Sequence, residues 1–370
     1  MTIIRRDPLA PHCPPVDKKR ELIHVDCASH TYPDGSVGIH DMCFYVLKDE
    51  IVALCGPNGS GKSTLLEHLN GLLTPSQGDV WVNGRSITHG ERADLWKDVG
   101  VVFQRSDDQL FAPTVLDDVM FGPLNLGMSH TEARAAAMSA LEGVGAAGLV
   151  HKLPNYLSGG QKRLVCIAGV LAMKPKIMVL DEPTSDLDPL HSEMVERLIL
   201  RFKREYGISV VIATHDLDLA ARIADRVCLV KNGSVFAEGT PDEVFYNTVL
   251  IDEAGLALPQ TVRIYLDYCK ALGTRITTDT KGRTHPGTTI LKFMRREKVI
   301  LVSPQKSPNL FICFRQLSYQ QPGFPCAIME PTKFYGAYSS RRWIIFPVLC
   351  APLVDCCHYS CGNSYLPDAI

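Results

Sequence analysis

The chain has little charge imbalance, no long apolar run and no apolar leader, and each absence removes a class of function. Lysine and arginine number 38 against 40 aspartates and glutamates, a formal net charge of −2 in 370 residues. That near-balance leaves no bulk electrostatic case for nucleic-acid binding, which draws on clustered positive charge. No stretch approaches the roughly 20 apolar residues needed to cross a bilayer, so membrane contact is expected only through a partner. The N-terminus carries Arg5, Arg6, Asp7 and several prolines where a secretory leader would be apolar. Cysteine is not scarce, at thirteen, but paired zinc-ligand spacings are missing. Cys43, Cys166 and Cys228 fall in apolar segments and read as small buried residues.

What is present begins with Gly56-Pro57-Asn58-Gly59-Ser60-Gly61-Lys62-Ser63-Thr64. Gly56, Gly61, Lys62 and Ser63 fill the pattern of a phosphate-binding loop. Its glycines let a row of backbone N–H groups turn inward around a triphosphate. Lys62 is placed to reach the β- and γ-phosphates, and the Ser63 hydroxyl is a hard oxygen suited to Mg²⁺. The context fits: Ile51 to Cys55 reads as a buried strand and Ser63 to Leu72 as a helix, which puts the phosphates at a helix N-terminus. A second apolar run, Ile177 to Leu180, ends in Asp181-Glu182. Carboxylates at the C-terminal end of a parallel strand lie where ligands bind. Asp181 is suited to hold Mg²⁺ through water, and Glu182 to act as the general base on an attacking water.

Leu157-Ser158-Gly159-Gly160-Gln161 then narrows the class. With the phosphate loop upstream and the carboxylate pair downstream, the chain resembles the nucleotide-binding subunit of ATP-binding-cassette (ABC) transporters over roughly residues 20–250. The resemblance implies an α/β phosphate-loop NTPase cassette with a mostly parallel sheet core, an antiparallel β subdomain and a helical signature subdomain. It implies that Tyr32 stacks on adenine, that Gln104 touches Mg²⁺ and the attacking water, and that His215 contacts the γ-phosphate. Ser158 and Gly160, with Gly159 and Gln161 beside them, would meet the γ-phosphate held by an opposite subunit. Ser185-Asp186-Leu187-Asp188 matches the loop that crosses the dimer interface. The physical logic is that a helix beginning near Ser158 offers a partial positive charge to phosphate. ATP would complete the interface and hydrolysis would release it, a switch biased by the γ-phosphate. The cofactors implied are ATP and Mg²⁺. The partners implied are a second ATPase subunit, identical or related, and integral membrane subunits, a scaffold and a substrate-binding component. The expected place is the cytoplasmic face of the cell membrane, as a peripheral subunit, with no nucleic acid bound. In that reducing compartment a disulfide framework is not expected.

Residues 103–127 resemble, more narrowly, the ATPases of energy-coupling-factor importers, including the cobalt and nickel type. Asp107-Asp108-Gln109-Leu110-Phe111 and Phe121-Gly122-Pro123 carry that likeness, as does Glu253-Ala254-Gly255-Leu256-Ala257-Leu258-Pro259. In this family the region docks a coupling helix of the membrane subunit, and here it offers apolar anchors with an acidic rim. Cobalt or nickel is the first expectation for cargo and a vitamin the second. A soluble ABC-type ATPase without a membrane partner is the alternative class. A DNA-repair relative would place a long coiled coil between Lys62 and Ser158, which are too close for one. One departure stands out: Asp49 precedes Glu50 where the family usually has a turn glycine.

The expected organisation is a flexible extension over residues 1–20, an ATP-binding domain over 21–255, a C-terminal extension or linker over 256–303, and an irregular tail over 304–370. Within the domain, short strands alternate with the first helix up to about residue 100. Ser129-His130-Thr131-Glu132 reads as a capping box opening a helix to about Leu141. Residues 159–173 read as the signature helix and Leu190 to Arg204 as another. Two short strands flank Lys231-Asn232-Gly233-Ser234, and Pro241 opens a further helix. The tail holds six of the cysteines. Cys356, Cys357, His358 and Cys361 supply zinc-ligand types without a matching second pair, so an irregular tail is preferred to a metal site. Trp343 to Cys350 is apolar but short and proline-broken.

Overall fold

The computed structural model describes residues 4–5, 21–88, 94–271, 299–302, 311–315 and 344–348. The flexible-extension expectation and the Cys356–Cys361 cluster lie largely outside them. Contacts divide the chain into two units, residues 1–266 with 276–285, and residues 267–275 with 286–370.

The first unit opens with β1 (Ile4–Arg5), β2 (Glu21–Thr31), β3 (Val37–Leu47) and β4 (Ile51–Cys55), then helix α1 (Lys62–Leu69). After β5 (Gln77–Val82), β6 (Arg85–Ser86), α2 (Leu95–Asp98) and β7 (Val99–Val102) come three helices, α3 (Val115–Asn125), α4 (His130–Gly143) and α5 (Gly159–Ala172). The chain continues through β8 (Ile177–Asp181), α6 (Pro189–Tyr206), β9 (Ser209–Thr214), α7 (Leu217–Ile223), β10 (Arg226–Lys231) and β11 (Ser234–Gly239). Helices α8 (Pro241–Phe245), α9 (Thr248–Glu253) and α10 (Gln260–Ala271) follow.

Seven strands form one sheet in the order β1-β11-β10-β4-β9-β8-β7. The five from β10 to β7 are parallel, and β11 and β1 add an antiparallel edge. Strands β4 and β9 are buried along their whole length, which is why they read as unbroken apolar runs: both faces are covered. The two-residue period of a strand divides them between two cores. Ile51, Met178, Leu180, Val210 and Ile212 pack with the helices on one face. Val52, Leu54, Ile177, Val179, Val211 and Ala213 pack with α1 and a second sheet on the other. That second sheet is antiparallel, in the order β3-β2-β5-β6. The expected α/β architecture of a parallel core, antiparallel subdomain and helical subdomain is therefore present.

Helix ends follow local chemistry. Ser129 and Glu132 form the expected capping box of α4, and Ser158 and Gln161 form a second one at α5. Asn232 and Gly233 take φ of 50° and 79°, the left-handed pair that a two-residue hairpin between β10 and β11 requires. Asp49 has φ 60°, which explains why glycine suits that turn; its N–H is held by the Ser209 hydroxyl at 2.9 Å.

Three expectations differ from the structure. The first helix ends at Leu69, with Gly71 at φ 79° breaking its course. The strands before residue 50 are not short: β2 and β3 run eleven residues each. Register shifts along their ladder interrupt the alternation that marks a strand in sequence. Finally, part of the stretch expected to be irregular is strand. In the second unit β12 (Val299–Val302), β13 (Phe311–Arg315) and β14 (Ile344–Val348) form a sheet, antiparallel between the first two and parallel between the last two. Their β-branched and aromatic residues favour strand, and Pro347 is tolerated because β14 is an edge.

Candidate active site

The phosphate loop leaves β4 and enters α1 as expected. Gly61, at φ 99°, ends the loop, and a Cβ there would lie 2.5 Å from the Gly38 carbonyl oxygen. A Cβ on Gly56 would meet the Val230 carbonyl oxygen at 2.4 Å. Only glycine permits either approach. Pro57, Asn58 and Gly59 form the outer turn, closed by the Ser60 N–H on the Pro57 carbonyl at 3.3 Å. Lys62 is buried, and its Nζ donates to the carbonyls of Gly56 at 2.8 Å and Pro57 at 3.0 Å. Burial pushes its pKa down, opposed by the charges of Glu182 and Asp181. The lysine thus rests on its own loop, close to where phosphate oxygens would replace those carbonyls.

Strand register gathers the carboxylates beside it. Asp181 pairs with Ala213, so Glu182 arrives next to Thr214 and His215. Asp181 accepts the Ser63 hydroxyl at 2.8 Å. Burial pushes its carboxyl up, with the Ser63 bond acting against that. Glu182 is buried and sits at φ 45°, a conformation that costs a non-glycine residue about 1 kcal/mol or more. The surroundings hold it there. Its N–H donates to the Ala213 carbonyl at 2.9 Å. Its Oε1 accepts the His215 backbone N–H at 3.0 Å and Nδ1 at 2.7 Å, and its Oε2 accepts the Thr214 hydroxyl at 3.2 Å. The His215 side chain is 62% exposed against 8% for Glu182. With Nδ1–H on the carboxylate, Nε2 is left for solvent or ligand.

Gln104 lies just past β7, whose Val102 pairs with Leu180, so it flanks the same sheet edge with its side chain in solvent. The sequence reading missed what fixes it. Arg163 on α5 is buried and donates Nη1 to the Phe103 carbonyl at 2.5 Å and Nη2 to the Gln104 carbonyl. The available signal was its spacing: Gly160, Arg163, Leu164 and Ile167 share the buried face of one helix. Thr214 was missed as well, though it closes the strand before His215.

Tyr32 is half-buried, donates or accepts a 3.0 Å bond with the Thr64 hydroxyl, and meets the His30 ring edge-on at 4.9 Å. It therefore borders the loop end. The signature residues are not joined to this edge. Ser158 and Gln161 bond to one another in their capping box, Ser158 and Gly159 are exposed, and Gly160 is buried against the His191 ring. Asp188 caps α6, accepting the N–H groups of Leu190 and His191 at 2.9 and 3.0 Å, and is held below its ordinary pKa, first by the His191 backbone bond. Among the described residues, one chain presents the loop-and-carboxylate half and the signature half as separate surfaces.

The residues fit the implied ligands. Ser60 Oγ is buried with no hydrogen-bond partner, the loop is a cradle that a Cβ would fill, and Ser63 with Asp181 is a hard-oxygen pair. Together they define a phosphate-loop ATPase of the cassette type. A family model described as ABC transporter matches residues 39–185. A second, described as AAA domain, putative AbiEii toxin, matches residues 151–221, which lack the phosphate loop.

Curated relatives extend the likeness. The energy-coupling factor transporter ATP-binding protein EcfA of Methanothermobacter thermautotrophicus is 46% identical over 242 residues, covering 65% of this chain and 78% of the relative. That of Methanocaldococcus jannaschii is 45% identical over 235 residues, covering 63% and 84%. Among solved structures, cbiO1 from Clostridium perfringens, part of the ABC transporter complex cbiONQ, is 36% identical, with TM-score 0.58, covering 67% of this chain and 99% of that one. A dimeric post-hydrolysis structure of the cassette MJ0796 with ADP and Pi is 30% identical, with TM-score 0.54, covering 60% and 99%. The chain belongs to the ABC transporter ATP-binding proteins and is similar to their energy-coupling-factor members. It is an ABC ATPase, whose class couples ATP hydrolysis to transport.

Proposed function

We propose that this chain is the energy-coupling subunit of a membrane importer, hydrolysing ATP in sites shared between two cassettes, with cobalt or nickel as first-choice cargo and a vitamin as second. The observation that carries the catalytic reading is the buried Glu182 carboxylate held by Thr214 and an exposed His215. Oε1 accepts two hydrogen bonds and Oε2 only one, so Oε2 keeps a lone pair able to accept a proton from a water attacking the γ-phosphate while the carboxylate stays fixed. Lys62 Nζ supplies a donor to the γ-phosphate, His215 contacts it from the Glu182 side, and Tyr32 offers a ring to adenine. Mg²⁺, when held by Ser63, Asp181 and Gln104, neutralises charge on the phosphates. Ser158 to Gln161 of a second chain, with Asp188 nearby, closes the site.

The importer reading draws on a groove of about 480 Å³ between α3 and α5. Trp96, Leu110, Phe111, Phe121, Val170 and Met173 line it. Phe111 and Phe121 stack edge-on at 4.8 Å yet remain 68% and 48% exposed. Asp118 adds one carboxylate to the lining, and the apolar anchors suit a coupling helix bearing apolar residues. Among the described residues no helix is long and apolar enough to cross a membrane, which fits a peripheral subunit on the cytoplasmic face. The cargo preference draws on the likeness of residues 103–127 and 253–259. The test is affinity purification of the tagged chain from gently solubilised native membranes, with mass spectrometry of what accompanies it. An integral membrane scaffold with a substrate-binding membrane protein is expected. Ribosomal or DNA-repair proteins without a membrane subunit would overturn the importer reading.

A further inference from the structure

On the antiparallel sheet, the β2–β3 ladder pairs Val25 with Phe44 and Ala28 with Met42. Two residues of β2, Asp26 and Cys27, therefore face the single residue Cys43 of β3, which is a bulge. Cys27 occupies the left-handed region at φ 46°, a backbone cost that non-glycine residues bear where the surroundings enforce it. The third strand enforces it from the other side. A Cβ on Gly78 would come within 2.3 Å of the Cys27 carbonyl oxygen and 2.5 Å of that of Asp26, so β5 closes over the bulge only with glycine there.

The bulge brings an Asp26 carboxylate oxygen and the Cys27 and Cys43 sulfurs within 4.8 Å of one another. The sulfurs lie 3.5 Å apart. Two thiolates on one tetrahedral zinc-class ion, each at about 2.3 Å, stand roughly 3.8 Å apart; a disulfide would need about 2.05 Å. The observed spacing, that of two hydrogen-bonded thiols, lies nearer the first arrangement than the second. Cys43 is buried, Cys27 half-buried and Asp26 exposed, so the set grades from a dry floor to an open mouth.

We propose that Asp26, Cys27 and Cys43 form a site for one thiophilic divalent cation of the zinc class. Both thiols lose their protons to solvent as the ion binds. Two thiolates and a carboxylate supply three ligands, and water takes the fourth position on the Asp26 side. The ion clips β2 to β3 at their bulge. None of the three residues belongs to the nucleotide site, so loading and hydrolysis are separable.

The test uses the full chain carrying Cys313→Ser, Cys326→Ser, Cys350→Ser, Cys356→Ser, Cys357→Ser and Cys361→Ser to silence the tail thiols, reduced, stripped with chelator and titrated with Co²⁺ under anaerobic conditions. Expected are tetrahedral visible bands and thiolate-to-cobalt absorption saturating at one equivalent per chain, with a rise in Tm. Cys43→Ser should abolish both, and Asp26→Asn, at an exposed position that spares the fold, should weaken binding by about tenfold or more. ATPase activity should stay unchanged in Asp26→Asn. Absence of thiolate-to-cobalt absorption in the parent, its persistence in Cys43→Ser, unchanged affinity in Asp26→Asn, or a Cys27–Cys43 disulfide found by peptide mapping of the protein before reduction would overturn the site.

Discussion

Two buried carboxylate clusters sit on the same parallel sheet and differ in what encloses them. Where β4 and β10 begin, Arg226 bonds Glu50 through Nε at 2.8 Å and Nη2 at 3.1 Å, and Glu238 through Nη1 at 3.0 Å. Its two remaining donors reach the Tyr45 carbonyl at 2.7 Å and Cys228 Sγ at 3.3 Å, and the guanidinium lies 3.8 Å from the Tyr45 ring centroid. Every charged member is nearly out of solvent, at 5%, 11% and 2% side-chain exposure for Arg226, Glu50 and Glu238. At the other end of the strands, Glu182 is just as buried, but its partners are a neutral hydroxyl and an exposed imidazole. A sealed ion network ties strands together and offers nothing to a ligand. A carboxylate held by a hydroxyl and an imidazole, with a lone pair remaining on Oε2 and one partner in solvent, is able to take a proton.

The comparison is broken most sharply by Glu182→Gln. It should retain ATP binding while turnover falls by about 10²–10⁴, measured by steady-state phosphate release; wild-type-like release would remove Glu182 from the role of base. Arg226→Ala should do the opposite, costing about 3–5 kcal/mol of stability by stranding buried carboxylates, read from urea denaturation. A shift within about 0.5 kcal/mol would show the network to be incidental. Ser158→Ala should cost about 1 kcal/mol as a lost helix cap, and should weaken ATP-dependent dimer formation, followed by sedimentation, more than ATP binding to one chain.

The smallest effect concerns Asp181. Burial raises its carboxyl above the ordinary range, so folding disfavours the ionised form. The stability linked to the protonated form is fully present below the unfolded carboxylate value and is lost as pH rises through the raised folded value. Asp181→Asn should therefore raise Tm in nucleotide-free protein at neutral pH. The gain should shrink toward about pH 4. A gain that grows on acidification would reverse the assignment.

Legibility in the sequence followed distance along the chain. The strand–loop–helix from Ile51 through Gly56 to Thr64, the capping box at Ser129, the helix start near Ser158 and the Asn232-Gly233 turn are contiguous strings whose chemistry is local, and the structure has each of them. Strands β4, β8 and β9 read as apolar runs because both faces are covered. Glu182 was named from the carboxylate pair ending an apolar run and His215 from resemblance, but their bond was invisible, since it depends on the register that sets Asp181 opposite Ala213. Arg163 went unremarked in the signature helix, because its role depends on the buried face it shares with Gly160 and Ile167. Glu50 and Arg226, 176 positions apart, carry no shared local signal. Strands β2 and β3 hid behind their own bulges, and the same irregularity produces the Asp26, Cys27 and Cys43 cluster. Proline and scattered aromatics masked β14, whose edge position excuses Pro347.

The most direct test of the contrast pairs two substitutions of the same kind, Glu182→Gln and Glu238→Gln, and measures for each the urea midpoint and single-turnover ATP hydrolysis per folded molecule. A crossed result is expected. Glu182→Gln should lose hydrolysis with its midpoint nearly unchanged, and Glu238→Gln should lose stability while its folded fraction hydrolyses ATP like the parent. Equal losses of both kinds in both variants, or the reverse pairing, would contradict the claim that enclosure divides structural carboxylates from the catalytic one.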